Sequence, residues 1–276
     1  MKKILITGAN SYIGTNFEKY IKQWSDKYRV DTVDMLDMNW RKKDFGEYDV
    51  ILHVAGIAHI KETKENANLY YKVNRNLAYE VATKSKNEKV KQFIFLSSMS
   101  VYGMETGIIR KDTIAKPNSN YGKSKLQAEE LIVPLQDENF NVAVLRPPMI
   151  YGKGCKGNYI RLEKFALKSP IFPKIENKRS MIYIDNLCEF VKQVIDNKSI
   201  GISLPQNEEY VCTSYMVREI AKAHGRKIYM TRLFNPLLKV MKIKMINKVF
   251  GDLVYAKEKD VVDMVNFKES IRNAEV

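Results

Sequence analysis

Lys3-Ile4-Leu5-Ile6-Thr7-Gly8-Ala9-Asn10-Ser11-Tyr12-Ile13-Gly14 is the stretch on which the architecture turns. A short, nearly unbroken apolar run reads as a strand buried on both faces. It leads directly into Gly8, and by Gly14 a helical pattern has begun. Glycines between a strand and a helix permit a tight turn and a close backbone approach, so the helix N-terminus can hold a pyrophosphate. Further strands are predicted at Arg29 to Val33, Val50 to Val54, Gln92 to Ser97 and Asn141 to Leu145, separated by helical segments near 12–23, 66–86 and 119–136.

Strands that alternate with helices imply right-handed crossovers. The fold class is therefore α/β, a Rossmann-like doubly wound parallel sheet, followed by a smaller, irregular C-terminal lobe. The pattern changes after Arg146, where Pro147-Pro148 and then Gly152, Gly154 and Gly157 mark a loop-rich region. The expected division is 1–148 for the dinucleotide-binding domain and 149–276 for a substrate lobe, with segments near 180–198 packing back on the first domain.

Of 276 residues, 45% are hydrophobic and 28% charged, which is a globular composition rather than a disordered one. No apolar run reaches the roughly 18 residues of a membrane span. The first strand is too short for the apolar region of a signal peptide and leads into a turn, not a cleavage site. Cys155, Cys188 and Cys212 have no CxxC spacing, which argues against a disulfide framework or structural zinc and for a reducing cytoplasm. The net charge of +14 comes from lysines spread along the chain, and no nucleic-acid motif accompanies them, so a solvated basic surface is expected and nucleic acid is not a partner. From Ile220 to Gly251 there is no acidic residue, and Leu237, Leu238, Met241, Met245, Val249 and Phe250 recur at near-helical spacing. Such a helix can lie on anionic membrane, but an apolar stripe packed inward is the favoured reading.

The second strand ends in Val33-Asp34, 20 residues beyond Gly14. A carboxylate there accepts hydrogen bonds from ribose hydroxyls and repels a 2′-phosphate, favouring NAD over NADP. Arg41, Lys42 and Lys43 keep NADP as the alternative. Ser11 occupies the middle position of the turn, where glycine is usual, and its hydroxyl is a candidate phosphate donor.

Tyr121-Gly122-Lys123-Ser124-Lys125 places Tyr121 and Lys125 four apart, on one face of a helix. A tyrosine of unperturbed pKa of about 10 is a poor base, and a neighbouring lysine cation favours its phenolate. The pair can then exchange a proton with a substrate hydroxyl. The strand at Gln92 runs into Ser97-Ser98-Met99-Ser100-Val101-Tyr102-Gly103, which sets hydroxyls at the C-terminal edge of a parallel sheet.

Together, Thr7-Gly8 to Gly14, Asp34, His53-Val54-Ala55-Gly56, Asn74, Ser97 to Gly103, Tyr121 to Lys125 and Arg146-Pro147-Pro148 make the chain resemble the extended short-chain dehydrogenase/reductase family, in its nucleotide-sugar epimerase/dehydratase branch. The resemblance implies that Ser98, Tyr121 and Lys125 are catalytic. It implies cofactor contacts at Gly8, Asn10, Ser11, Tyr12, Ile13, Gly14, Asp34, the adenine-contacting pair Asp44 and Phe45, Val54, Ala55, Gly56, Asn74, Tyr121, Lys125 and Pro148. His53 is read as a core histidine. It implies substrate contacts at Ser98, Ser100, Asn158 and Arg179, the last through a diphosphate suited to a guanidinium fork, with Leu162 to Pro173 against the uracil. His59 is a loop residue on the expected active-site side. No metal is implied, and a homodimer through the helices near 66–86 and 119–136 is the usual arrangement.

Two departures bear on the reaction. Sugar 4,6-dehydratases of this branch carry Asp-Glu after the catalytic Ser/Thr, and here Met99 and Ser100 stand there, which speaks against dehydration. Met149 replaces an asparagine common in hexose 4-epimerases. The favoured expectation is a C4 reductase of a UDP-4-keto-6-deoxy-N-acetylhexosamine in surface-polysaccharide synthesis. A UDP-sugar 4-epimerase of the UDP-glucose or UDP-GlcNAc type stands close behind, and a non-catalytic dinucleotide sensor is the rival of another class.

Overall fold

A computed structural model describes residues 1–58, 60, 62–233, 235–236, 244–257 and 264–276. In chain order the elements are β1 (Lys2–Thr7), α1 (Tyr12–Ile21), β2 (Tyr28–Val33), β3 (Val50–His53), α2 (Ala67–Tyr70), α3 (Ala78–Asn87), β4 (Gln92–Leu96), β5 (Gly107–Ile109), α4 (Asn120–Ile132), β6 (Asn141–Leu145), β7 (Met149–Tyr151), α5 (Asn158–Lys168), β8 (Ile171–Pro173), β9 (Met181–Tyr183), α6 (Ile184–Asp196), β10 (Gly201–Ser203), α7 (Thr213–Ala223), β11 (Tyr229–Thr231), α8 (Lys244–Phe250), β12 (Leu253–Tyr255) and α9 (Phe267–Glu275). They form two compact units, one of Met1–Gly103, Ile114–Pro147 and Leu187–Pro205, the other of Met104–Thr113, Pro148–Asn186 and Gln206–Val276.

The first unit is built on a six-stranded sheet in the order β10-β6-β4-β3-β1-β2, every pair parallel. The sequence expectation of a Rossmann-like doubly wound sheet holds. Its inner strands β1, β3, β4 and β6 are nearly continuous apolar runs because both faces are covered, and Ile4, Leu5, Ile6, Ile51, Leu52, Phe93, Ile94 and Phe95 are fully buried. The strand order reverses between β1 and β3, which creates the crevice at the carboxyl ends where such folds hold ligands. The expected helix 66–86 is not regular. Between α2 and α3, Tyr71–Leu77 is π-helical, a geometry that accommodates an extra residue within a helix, and fully buried Asn74 lies in it.

The second unit contains three two-stranded parallel pairs, β7 with β9, β8 with β11 and β5 with β12. Buried Asn207 ties it internally, donating to the Tyr151 hydroxyl at 3.0 Å and accepting from Asn186 Nδ2 at 3.0 Å. Of the basic stretch, Leu237, Leu238, Lys239, Met241 and Lys242 lie outside the described residues. Phe250 packs its ring 5.7 Å from Phe172 within this unit. Among the described residues no helix is long and apolar enough to cross a membrane.

His53 ends β3 in the core, stacked 5.9 and 6.0 Å from Phe93 and Phe95. Its Nδ1 shares a 2.7 Å hydrogen bond with Thr7 Oγ1, and its Nε2 has no partner. Burial, with help from the Lys125 charge, pushes its pKa down to about 3. The folded chain therefore keeps His53 neutral where the unfolded chain protonates it, below about pH 6.5. Stability is lost as pH falls through that value. Between pH 7 and pH 5, urea unfolding should show wild type losing about 2 kcal/mol more than a His53→Phe variant; parallel pH dependences would contradict this assignment.

Candidate active site

The turn after β1 is made by two residues in left-handed conformations, Gly8 at φ +112° and Asn10 at φ +63°. Gly8 and Ala9 donate backbone hydrogen bonds to the Val33 carbonyl, and Val54 and Ala55 donate to that of Thr7. A Cβ on Gly8 would stand 2.9 Å from the Ala55 nitrogen, so only glycine fits this close crossing of backbones. Ser11 has a structural role as well as the hydroxyl expected to meet a phosphate. Its oxygen caps α1, accepting from the Gly14 N–H at 3.1 Å, which organises the first turn through Tyr12, Ile13 and Gly14.

At the end of β2, Asp34 is exposed and accepts the Leu36 N–H at 2.9 Å. Asp44 is exposed as well, accepting from Gly46. Its expected partner Phe45 is fully buried, and its N–H donates to Glu88, so its ring belongs to the core. Among the neighbouring cations, Arg41 is held bidentately by Glu80, and Lys43 Nζ lies over the Tyr48 ring, 5.2 Å from its centroid. The turn with no room for a side chain, the capped helix start and the exposed carboxylate after β2 fit a dinucleotide without a 2′-phosphate.

The residues expected to be acid and base converge at the ends of β3 and β4. Lys125, 4% exposed, donates from Nζ to the Leu96 carbonyl at 2.7 Å. Burial pushes its pKa down to about 8 against the opposing pull of Glu129. Tyr121 lies one turn earlier; burial raises its pKa, and the nearby Ser98 hydroxyl works the other way. Ser98 also caps the short 3₁₀ turn Met99–Tyr102, accepting from the Ser100 N–H at 3.1 Å. A Cβ on Gly122 would come within 2.5 Å of the Ser100 carbonyl, so this glycine lets α4 approach the serine turn. Asn74 clamps the loop after β3, accepting from the Ile57 N–H at 2.9 Å and donating to the Ile57 carbonyl at 3.0 Å and to Ser124 Oγ at 3.2 Å. Gly56 lies beside Asn74 and Lys125.

Ser98, Ser100, Tyr121, Lys125, Asn74 and Gly56 thus lie in the first unit, along with the turn that follows β1. Pro148, Asn158 and Arg179 belong to the second. Pro148 is buried there and Asn158 is an exposed first residue of α5. Arg179 is paired through its backbone with Val211, and its Nη1 donates to the carbonyls of Gly251 at 2.8 Å and Asn247 at 3.3 Å. His59 lies outside the described residues. Sequence reasoning missed Glu129, eight residues after Tyr121 on the same helix face, although a carboxylate repeating the Tyr–Lys spacing was a usable signal.

An exposed lysine keeps its proton to about 10.5, and Lys125 only to about 8. The folded state therefore bears the full cost of this charge below pH 8, and the cost fades as pH rises towards 10.5. Lys125→Met should be about 1–2 kcal/mol more stable than wild type at pH 7, after the cost of leaving the Leu96 carbonyl unpaired. That advantage should vanish near pH 10; urea unfolding at both pH values measures it, and a Met variant less stable at pH 7 would contradict the prediction.

Comparison with known proteins agrees with this fold. A UDP-glucose 4-epimerase of Vibrio cholerae is 30% identical over 95% of this chain and 84% of its own length. An N-acetyl-α-D-glucosaminyl-diphospho-ditrans,octacis-undecaprenol 4-epimerase of Escherichia coli O157:H7 is 26% identical over 85% of this chain and 76% of its own. The crystal structure of the UDP-glucuronic acid 4-epimerase from Bacillus cereus in complex with NAD superposes with a TM-score of 0.77, at 20% identity, over 99% of this chain and 97% of that one. The model of the NAD dependent epimerase/dehydratase family matches residues 4–212, and the chain belongs to that family.

Proposed function

We propose that the protein is an NAD-using 4-epimerase of a UDP-linked hexose or N-acetylhexosamine. The observation that carries this reading is the convergence of Tyr121 and Ser98 one helical turn from a Lys125 buried against the end of β4. Tyr121 takes the proton from the sugar O4 and returns it, Ser98 orients O4, and the Lys125 ammonium favours the phenolate. The turn from Gly8 to Gly14 and the start of α1 hold the pyrophosphate, and Asp34 holds the ribose hydroxyls. NAD, when bound, supplies the hydride acceptor and donor. Arg41 is already committed to Glu80, which supports NAD over NADP.

The sequence reading leaned to a C4 reductase. The 30% and 26% identical relatives are 4-epimerases, and they favour the epimerase. Met99 and Ser100 occupy the positions where a dehydratase needs carboxylates, and Ser98 caps the turn they begin. We place the diphosphate on Arg179 and further substrate contacts on Asn158 and Ser100. A homodimer through α2, α3 and α4 would cover Leu69, Tyr79 and Leu131, which are exposed in the single chain.

The test is proton NMR of the as-purified protein with UDP-glucose, UDP-GlcNAc and UDP-glucuronic acid in separate tubes. At least one should interconvert with its C4 epimer, with no net change in absorbance at 340 nm. Stoichiometric oxidation of added NADH by a UDP-4-keto sugar, without epimerisation, would replace this reading with the reductase. Tyr121→Phe should lower kcat by about 10²–10⁴-fold while leaving NAD affinity, read by calorimetry, within a few fold of wild type.

A further inference from the structure

Glu129 and Arg146 form an ion pair that is 3% and 6% exposed. Arg146 Nε donates to the two carboxylate oxygens at 3.1 and 3.2 Å and Nη2 donates to Oε2 at 2.5 Å. Ser97 Oγ donates to the same carboxylate, and Arg146 Nη1 donates to the Tyr102 hydroxyl at 2.9 Å. Taking two charges this far from water is costly, and a well-packed apolar pair is often as stable. Stability alone therefore gives little reason for the pair.

Its attachments suggest another. Ser97 precedes Ser98, and Tyr102 closes the turn that Ser98 caps. Glu129 follows Lys125 by one turn of α4. Past the ends of β4 and β6, Ser97 N–H bonds to the Leu145 carbonyl at 2.7 Å and Met99 N–H to that of Pro147 at 2.9 Å, so the backbone beside Arg146 holds both sides of Ser98. Lys125 is faced by neutral His53 from β3, the Phe95 ring and Leu96 carbonyl from β4, Asn74 from the π-helical stretch, and Tyr121 and Glu129 from its own helix. Of these only Glu129 carries a charge that favours the ammonium.

We propose that the buried Glu129–Arg146 pair positions the acid–base site, Glu129 keeping Lys125 charged and Arg146 fixing the turn that presents Ser98. This rests on the assignment of Tyr121, Lys125 and Ser98 given above. Neither residue of the pair touches substrate; both act through others.

The test uses a Glu129→Met/Arg146→Met double variant, which removes both charges and leaves neither unpaired. Lys125 is followed by ¹⁵Nζ NMR in labelled protein, its signal identified by its loss in Lys125→Met. The titration midpoint should fall in the double variant. With the sugar that wild type converts, kcat should drop at least tenfold near neutral pH, with KM within about twofold. An unmoved midpoint overturns the proposal, with or without loss of turnover, and so does wild-type kcat. If the double variant does not fold, Tyr102→Phe loosens the turn without stranding a charge. It should lower kcat several-fold at unchanged KM, and wild-type kcat in it overturns the proposal. Should wild type convert no sugar at all, the function assigned above fails, while the Lys125 titration still decides this one.

Discussion

An ammonium group buried against the carboxyl end of a β-strand organises this molecule. Lys125 Nζ donates to the Leu96 carbonyl where β4 ends, and that one bond fixes the height of α4 against the sheet. Once α4 is set, Tyr121 falls one turn earlier on the same face. Gly122 then meets the Ser100 carbonyl at a distance no side chain permits, so the helix and the serine turn lock in a single register. The cost of burying the charge is borne at the site, and the continuous apolar strands beneath it supply the stability that tolerates it.

Two titratable bases meet at this point, and burial lowers the pKa of both, leaving His53 neutral and Lys125 charged at pH 7. His53 lies in an aromatic layer and stays neutral far below its ordinary range. Lys125 lies near the edge of that layer, where the Leu96 carbonyl and the Glu129 carboxylate offset part of its desolvation. A lysine poised near neutrality responds to small changes in its surroundings, the property the proposed reaction needs in a group that tunes a tyrosine. The parallel sheet brings these parts together because successive strands end at the same edge. Residues distant in the chain, such as Asn74 and Ser124, thus come within hydrogen-bond reach.

Much of this was legible in the sequence. Continuous apolar runs identified the buried strands, and the glycine turn with Asp34 beyond it identified the dinucleotide crevice, since each follows from local chemistry. Tyr121 and Lys125 were legible because helical spacing alone puts them on one face. Other features depend on contacts that no local pattern encodes. Ser11 offers the same hydroxyl whether it meets a phosphate or caps a helix, and the structure uses its oxygen for the cap. Phe45 reads as part of an adenine-contacting pair, but its ring fills the core and its N–H meets Glu88, 43 residues away. The π-helical stretch that carries Asn74, the clamp on Ile57, has no signature in apolar spacing. Glu129 resembles any helix-surface acid until Arg146 arrives from another strand.

The central claim is that Tyr121, Lys125 and Ser98 serve a reaction in which the hydrogen removed from C4 of a UDP-sugar returns to C4. A UDP-sugar deuterated at C4, incubated with the protein in ordinary water, tests this most directly. Proton NMR and mass spectrometry of the product are predicted to show the C4 epimer with its deuterium retained. A C4 epimer carrying solvent hydrogen at that carbon would contradict the account.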